Sequence, residues 1–274
     1  MLLNSVILIL QETLEAALLI GVLLAINTQL RCNHRWLWYG LSMGTVIAFI
    51  FASNMGSISE SFDYAGQELL NASIQSTICI LIAMAVWRIA GLKQFELTDW
   101  QGYSQRFAQL CSVIIMLAVI REGQEVMLYL SGFLGSSQHI QTVFIGSGIG
   151  FGIGASIGIL LFYTLLGLPT NWKQPTVLVL LALFAGTMLS QSAVQLAQVD
   201  WIKQTAPLWN SSGLLAEESL LGELLYALIG YEAQPTAAQA IAYATGIGLV
   251  CLAALGGTRY KKHHLGNQPN GVAK

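Results

Sequence analysis

Four glutamates lie in two pairs inside strongly apolar stretches of the sequence. One pair belongs to the segment Gln11-Glu-Thr-Leu-Glu15 and the other to Arg121-Glu-Gly-Gln-Glu125. Both have the spacing E-x-x-E, which places the two carboxylates on one face of a helix. Carboxylates that converge away from water are the oxygen ligands that a hard, highly charged cation requires. The candidate metal ligands are therefore Glu12, Glu15, Glu122 and Glu125.

The composition places these glutamates in a membrane protein. Of the 274 residues, 55% are hydrophobic and only 9% are charged, whereas soluble domains carry roughly a quarter charged residues. This excludes an intrinsically disordered chain, a disulfide-rich secreted scaffold and a nucleic-acid binder. The four cysteines form no C-x-x-C pair, so no redox or zinc site is expected. The predicted fold class is an all-α integral membrane protein.

Buried charge makes a lipid-facing position of these side chains untenable. One carboxylate at the centre of a spanning helix costs about 2.5–3.5 kcal/mol, so all four should point into a helix bundle. Arg121 can pair with one or two of them while the site is empty, because its planar fork suits carboxylates. Some of the carboxyls should then hold protons, since like charges this close cannot all ionise. The alternative is a purely structural cluster that fixes the packing of two helices.

Seven segments are long and apolar enough to cross a bilayer, which takes about 20 residues. The first starts almost at Met1 without a basic leader, so we expect it to be a retained helix. The predicted transmembrane domain covers 1–256, and a basic tail covers 257–274. The predicted spans lie near 4–27, 36–55, 68–90, 108–132, 140–167, 174–196 and 235–256.

The basic residues predict the orientation of the chain in the membrane. Ten of the twelve lie in the tail or in connections on one side, whereas the other side has Lys203 and most of the acidic loop residues. The twelfth is Arg121, inside the fourth span. The N-terminus is therefore expected outside and the C-terminus in the cytoplasm.

An internal repeat relates 4–90 to 108–196, leaving an outer segment over 197–234 and a last span over 235–256. The two E-x-x-E motifs are 110 residues apart. Small residues, glycine or alanine, also recur at every fourth position in the second and fifth spans, a spacing that lets helix backbones approach closely in lipid. A unit of three crossings must invert when it is repeated, which predicts a site at the midplane between the repeats. The helix-packing glycines are Gly40, Gly44, Gly146, Gly150, Gly154 and Gly158.

At these motifs the sequence resembles the oxidase-dependent iron permease family, which includes bacterial ferrous-iron permeases, the yeast high-affinity permease and lead-uptake relatives. Its paired R-E-x-x-E motif is similar to Arg121–Glu125, with a degenerate copy at Gln11–Glu15. The resemblance covers nearly the whole chain, including Trp209-Asn210 and Gly230-Tyr231. It implies that iron is bound during passage by Glu12, Glu15, Glu122 and Glu125, with Gln11 and Arg121 supporting the site.

Two positions depart from the family pattern. Gln11 stands where the family usually has arginine, and Asn210 stands where aspartate is expected, which weakens the case for metal binding in the outer segment. The resemblance implies an iron ion as cargo and no permanently bound cofactor. It also implies an extracytoplasmic iron-binding or iron-oxidising partner and a place among the lipids of a bacterial cytoplasmic (inner) membrane.

Two acidic features lie outside the motifs. Glu68 opens the third span on the outer side and, with Asn71 and Gln75, could form an access path for cations, although it also favours the positive end of the helix dipole. Residues 214–229 have apolar positions at helical spacing and end at Gly230, which predicts an amphipathic helix on the outer face. Its acidic residues are expected on a solvated face and are Glu217, Glu218 and Glu223.

The leading hypothesis is an iron permease that works through a midplane site of two E-x-x-E motifs. One alternative is a permease for another metal cation such as lead. Another is an intramembrane carboxylate-metal enzyme, but such bundles pair glutamate with E-x-x-H, and no histidine lies deep in a predicted span. A receptor or scaffold would not need four buried carboxylates.

Overall fold

The computed structural model describes residues 2–90, 100–133, 140–216 and 219–264. Over these ranges the chain forms ten α-helices and one isolated β-bridge, between Pro207 and Thr236. In chain order the helices are α1 (Leu2–Gln29), α2 (Arg35–Ser53), α3 (Met55–Ser59), α4 (Ser61–Tyr64), α5 (Gly66–Ile89), α6 (Trp100–Ser131), α7 (Ile140–Gly167), α8 (Thr170–Gln198), α9 (Leu220–Ile229) and α10 (Ala237–His264).

Six of the described helices are long and apolar enough to cross a membrane, namely α1, α2, α5, α7, α8 and α10. Each coincides with one of the predicted spans. The remaining predicted span coincides with α6, which has Arg121, Glu122 and Glu125 in its second half and is not among the six. The all-helical membrane fold is thus confirmed, whereas a seventh crossing by α6 stays a prediction.

Several helices are longer than their predicted spans, including α6, which begins at Trp100 and not at residue 108. The helix α8 begins at Thr170, four residues earlier than predicted, and therefore contains Pro175 in its second turn. A proline there removes one backbone hydrogen bond without ending the helix. The helix α10 continues through His264, so the first part of the predicted tail is helical.

The most extensive helix contacts join the two halves of the chain. The helix α1 packs along α7, α2 packs along α6, and α5 packs along α8, while α10 covers α5 and α8. The helix α1 also contacts α6. This contact brings the two E-x-x-E segments beside each other.

Glycines allow the close approach of α1 to α7 and of α2 to α6. A Cβ atom at Gly150 would lie 2.5 Å from the backbone oxygen of Val6, and one at Gly40 would lie 2.8 Å from that of Ser112. Side chains larger than hydrogen would therefore force these helices apart. All six of the predicted helix-packing glycines face a neighbouring helix in this way, namely Gly40, Gly44, Gly146, Gly150, Gly154 and Gly158.

The short helix α9 lies in the outer segment and packs against α1 and α8. It begins after Ser219, whose hydroxyl accepts a hydrogen bond from the backbone N–H of Gly222. This cap explains why the helix starts at residue 220 and not at 214. The predicted C-cap is confirmed, because Gly230 has a left-handed φ of 66°.

The expectation of a solvated acidic face on α9 is wrong for Glu223. This residue is only 3% exposed, because it shares a helix face with Tyr226, which points toward α8. Burial raises the pKa of the Glu223 carboxyl. The other two acidic residues, Glu217 and Glu218, lie outside the described residues.

Candidate metal site in the helix bundle

Arg121 lies at the centre of a polar cluster where α1 meets α6. Its Nη1 atom is 3.2 Å from Glu15 Oε2 and 3.8 Å from Glu12 Oε2, and its Nη2 atom is 3.7 Å from Glu125 Oε1. Nη1 also donates a hydrogen bond to Glu122 Oε2. One guanidinium thus pairs with all four glutamates that the sequence predicts as ligands.

The cluster faces the interior of the bundle. Arg121, Glu122 and Glu15 are 7%, 5% and 8% exposed. The side chains of Glu12 and Glu125 are 14% and 29% exposed, so these two mark the open edge of the cluster. The other predicted supporting residue, Gln11, is half-buried on α1.

The carboxylates surround Arg121 and do not form a ready-made metal site. In the part of the chain that the structure describes, no group of three or more His, Cys, Asp or Glu side chains could hold a metal ion as it stands. The guanidinium occupies the position of a cation among them. One carboxylate atom, Glu12 Oε2, has no hydrogen-bond partner. Four ionised carboxylates would exceed the charge of Arg121 by three. Since like charges this close cannot all ionise, an arriving cation would displace protons from the carboxyls.

A hydrogen-bond network from three further helices reaches the cluster. Gln191 Nε2 on α8 donates to Glu15 Oε2 at 3.0 Å and to the Tyr226 hydroxyl at 2.8 Å. Gln75 Nε2 on α5 donates to Gln191 Oε1 at 2.8 Å. As an amide inside an apolar span, Gln191 is expected to hydrogen-bond between helices, and its bonds to α5 and α9 confirm this, although the sequence does not connect them to the four glutamates. The signal for Gln191 is a large amide inside an apolar helix, whereas nothing in the sequence connects Tyr226 to the site.

A polar cleft of about 320 Å³ opens onto the exposed edge of the cluster. Glu12 and Glu125 line it together with Glu68, so the residue predicted on the access path shares a cleft with two site glutamates. Asn71 also lines it and accepts a hydrogen bond from Gln124 Nε2. The remaining lining residues are Leu8, Gln67, Leu128, Gln195 and Gln198.

A larger groove of about 550 Å³ lies along α7. Its lining includes Gly148, Gly152 and Ser156, and the other side chains are aliphatic. Because it offers no charged ligand, this groove is not a candidate cation site.

The sequence matches the iron permease FTR1 family over residues 2–266. The chain belongs to the iron permease FTR1 family. It is also 24% identical over 135 residues to the iron permease EfeU of Bacillus subtilis strain 168, a match that covers 46% of this chain and 28% of that relative. The match therefore spans less than a third of the relative's length. No solved structure matches the chain.

Membership in the FTR1 family confirms the resemblance noted from the R-E-x-x-E motif. The family is one of transporters, and the apolar helices agree with an integral membrane protein. Iron transport across a membrane is the activity that this family indicates.

Proposed function

We propose that this chain moves iron ions across the cytoplasmic membrane through a site built from Glu12, Glu15, Glu122 and Glu125. The observation that supports it most directly is the pairing of all four carboxylates with Arg121. Four acidic side chains on two helices, gathered around one buried charge, match the oxygen-rich environment that a hard cation prefers. Family membership supplies iron as the cargo.

Arg121 is the occupant of the site when no cation is present. The guanidinium and an iron ion compete for the same carboxylate oxygens, so a bound ion must displace Arg121 from some of them. Arg121 thus neutralises the carboxylates while the site is empty and releases some of them when an iron ion binds.

The helix pairing supports an inverted repeat with seven crossings, and the distribution of basic residues supports an outside N-terminus and a cytoplasmic C-terminus. In each repeat, 4–90 and 108–196, the first helix packs along the second helix of the other repeat, as α1 does with α7 and α6 with α2. The third helices, α5 and α8, pair with each other. This reciprocal pattern is expected when two repeats are related by a pseudo-two-fold axis in the membrane plane.

Uptake of radioactive iron by an iron-transport-deficient bacterium tests the proposed function. At matched membrane levels, the native chain should accumulate iron, whereas the double variant Glu122→Gln, Glu125→Gln should fall to background because half of the carboxylate ligands are neutralised. The control is Glu60→Gln, an exposed carboxylate outside the cleft. Equal uptake by the native chain and the double variant would contradict the proposed function. It would indicate that the four carboxylates only fix the packing of the two helices. Competition by unlabelled lead tests the alternative cargo.

The cleft at Glu68 is the proposed route by which cations reach the site from outside. Glu68→Gln should raise the iron concentration for half-maximal uptake by roughly 1.5- to 5-fold, the range that matches exposed charge pairs, with little change in maximal rate. The effect should shrink as salt concentration rises, because salt screens exposed charges. Asp63→Asn, an exposed carboxylate on α4 outside the cleft, should leave the uptake curve unchanged. Equal effects of the two variants would exclude a specific route past Glu68.

A further inference from the structure

Two glutamines meet where α5 contacts α8, next to Glu15. Gln75 Nε2 donates to Gln191 Oε1 at 2.8 Å, and the hydroxyls of Ser76 and Ser192 are 2.9 Å apart. Each helix therefore contributes the same Gln-Ser dipeptide to this contact. Gln75 is 0% exposed and Gln191 is 4% exposed, so their hydrogen bonds form away from bulk water.

The side-chain amide of Gln191 makes three hydrogen bonds, one as acceptor and two as donor, and all three are to other side chains. A carboxamide has a donor end and an acceptor end. Because the acceptor end of Gln191 is engaged by Gln75, the donor end faces Glu15 and the Tyr226 hydroxyl. The reverse orientation would place two oxygen acceptors against each other at Glu15. Gln75 therefore keeps Gln191 in its donating orientation.

The glutamine pair leaves one buried oxygen atom without a hydrogen bond. Gln75 Oε1 has no hydrogen-bond partner, and a buried acceptor without a donor costs about 1–3 kcal/mol. An apolar residue at position 75 would avoid this cost. The arrangement is therefore explained better by what the Gln75 donor does to Gln191 than by packing alone.

Gln191 and Arg121 contact the same oxygen of Glu15, Oε2. We propose that Gln191 is a positioning residue for Glu15, locked by Gln75 and Tyr226, and that it fixes which carboxylate oxygen is offered to a cation. This inference rests on the proposed role of Glu15 as an iron ligand. When a cation displaces Arg121, Gln191 continues to satisfy Oε2 and Glu15 keeps its orientation.

Equilibrium binding of radioactive Fe²⁺, kept reduced with ascorbate, to the purified full-length protein in detergent tests this role. Gln191→Leu should weaken binding about 10- to 100-fold, the range seen when a residue that orients a metal ligand is removed. Gln75→Leu should weaken it less, because Gln191 remains but can rotate. The double variant should be no worse than Gln191→Leu alone, since Gln75 acts through Gln191.

The adjoining serines provide the matched control. Ser76→Ala with Ser192→Ala removes two hydrogen bonds from the same α5–α8 contact, the one between the hydroxyls and the one from Ser192 to the Ala72 carbonyl. Gln191 is unchanged, so iron binding should stay native. Thermal unfolding of every variant reports whether it is folded. Additive losses at positions 75 and 191, or an equal loss in the serine variant, would overturn the positioning role and indicate helix packing.

Infrared spectra of the metal-free protein separate this inference from the proposed function. The carboxylate band that Glu15→Gln removes should shift in Gln191→Leu and stay in place in the serine control. An unshifted band would overturn the positioning of Glu15. Absence of Fe²⁺ binding and iron uptake by the native chain would overturn the proposed function, and with it the inferred role in iron binding.

Discussion

Replacing Arg121 by glutamine should remove most of the folded protein from the membrane. The substitution leaves four glutamates without the cation that now pairs with each of them. Removing one partner of a buried ion pair costs about 3–5 kcal/mol, a large share of the roughly 5–15 kcal/mol that stabilises a typical protein. Size-exclusion chromatography of a fluorescent fusion, with its thermal midpoint, measures the loss.

Two comparisons isolate the cause of that loss. Arg106→Gln removes an exposed arginine from the same helix, α6, and should leave the folded yield unchanged. Adding Glu122→Gln to Arg121→Gln removes one of the uncompensated charges and should restore part of the yield without restoring iron uptake, because a ligand is missing. If Arg121→Gln were as stable as Arg106→Gln, the four carboxylates would not need a cation while the site is empty.

The convergence of the four glutamates could be anticipated from the sequence because two local rules agree. Spacing of i and i+3 places each pair on one helix face, and the cost of charge in lipid directs that face into the bundle. Glu15 and Glu122 are accordingly buried. The sequence also contains the arginine that pairs with them, although its contact with Glu12 and Glu125 depends on how deeply α1 and α6 overlap.

The surroundings of the site depend on contacts between distant segments, which helical periodicity does not encode. Nothing in the sequence around Tyr226 indicates that α9 turns this hydroxyl toward Gln191. Glu223 on the same helix is also buried, although the helical pattern places its acidic side chain in solvent. Capping chemistry did anticipate the end of α9 at Gly230, since that signal is local.

Gly150→Leu should separate α1 from α7 and abolish transport. A Cβ atom at Gly150 would lie 2.5 Å from the backbone oxygen of Val6 and 3.0 Å from the backbone nitrogen of Leu10. These are main-chain atoms of the helix that holds Glu12, so no side-chain rotation relieves the clash. Overpacking of a core costs about 1–3 kcal/mol or more. Thermal unfolding and iron uptake at matched membrane levels measure both consequences.

The neighbouring glycine on α7 supplies the control for this prediction. A Cβ atom at Gly152 would meet nothing within 4 Å, because Gly152 lines the groove on the other face of the helix. Gly152→Leu makes the same change in composition and helix propensity, so it should keep native stability and uptake.

Gly44→Leu extends the test to the reciprocal pairing of α2 with α6, since a Cβ at Gly44 would lie 2.8 Å from Val119 Cβ on α6. The α1–α7 pair holds one E-x-x-E motif and the α2–α6 pair holds the other. If the two pairs support the site equally, Gly44→Leu should lose stability and uptake to the same extent as Gly150→Leu. If only one of them lost transport, the two halves would not be equivalent.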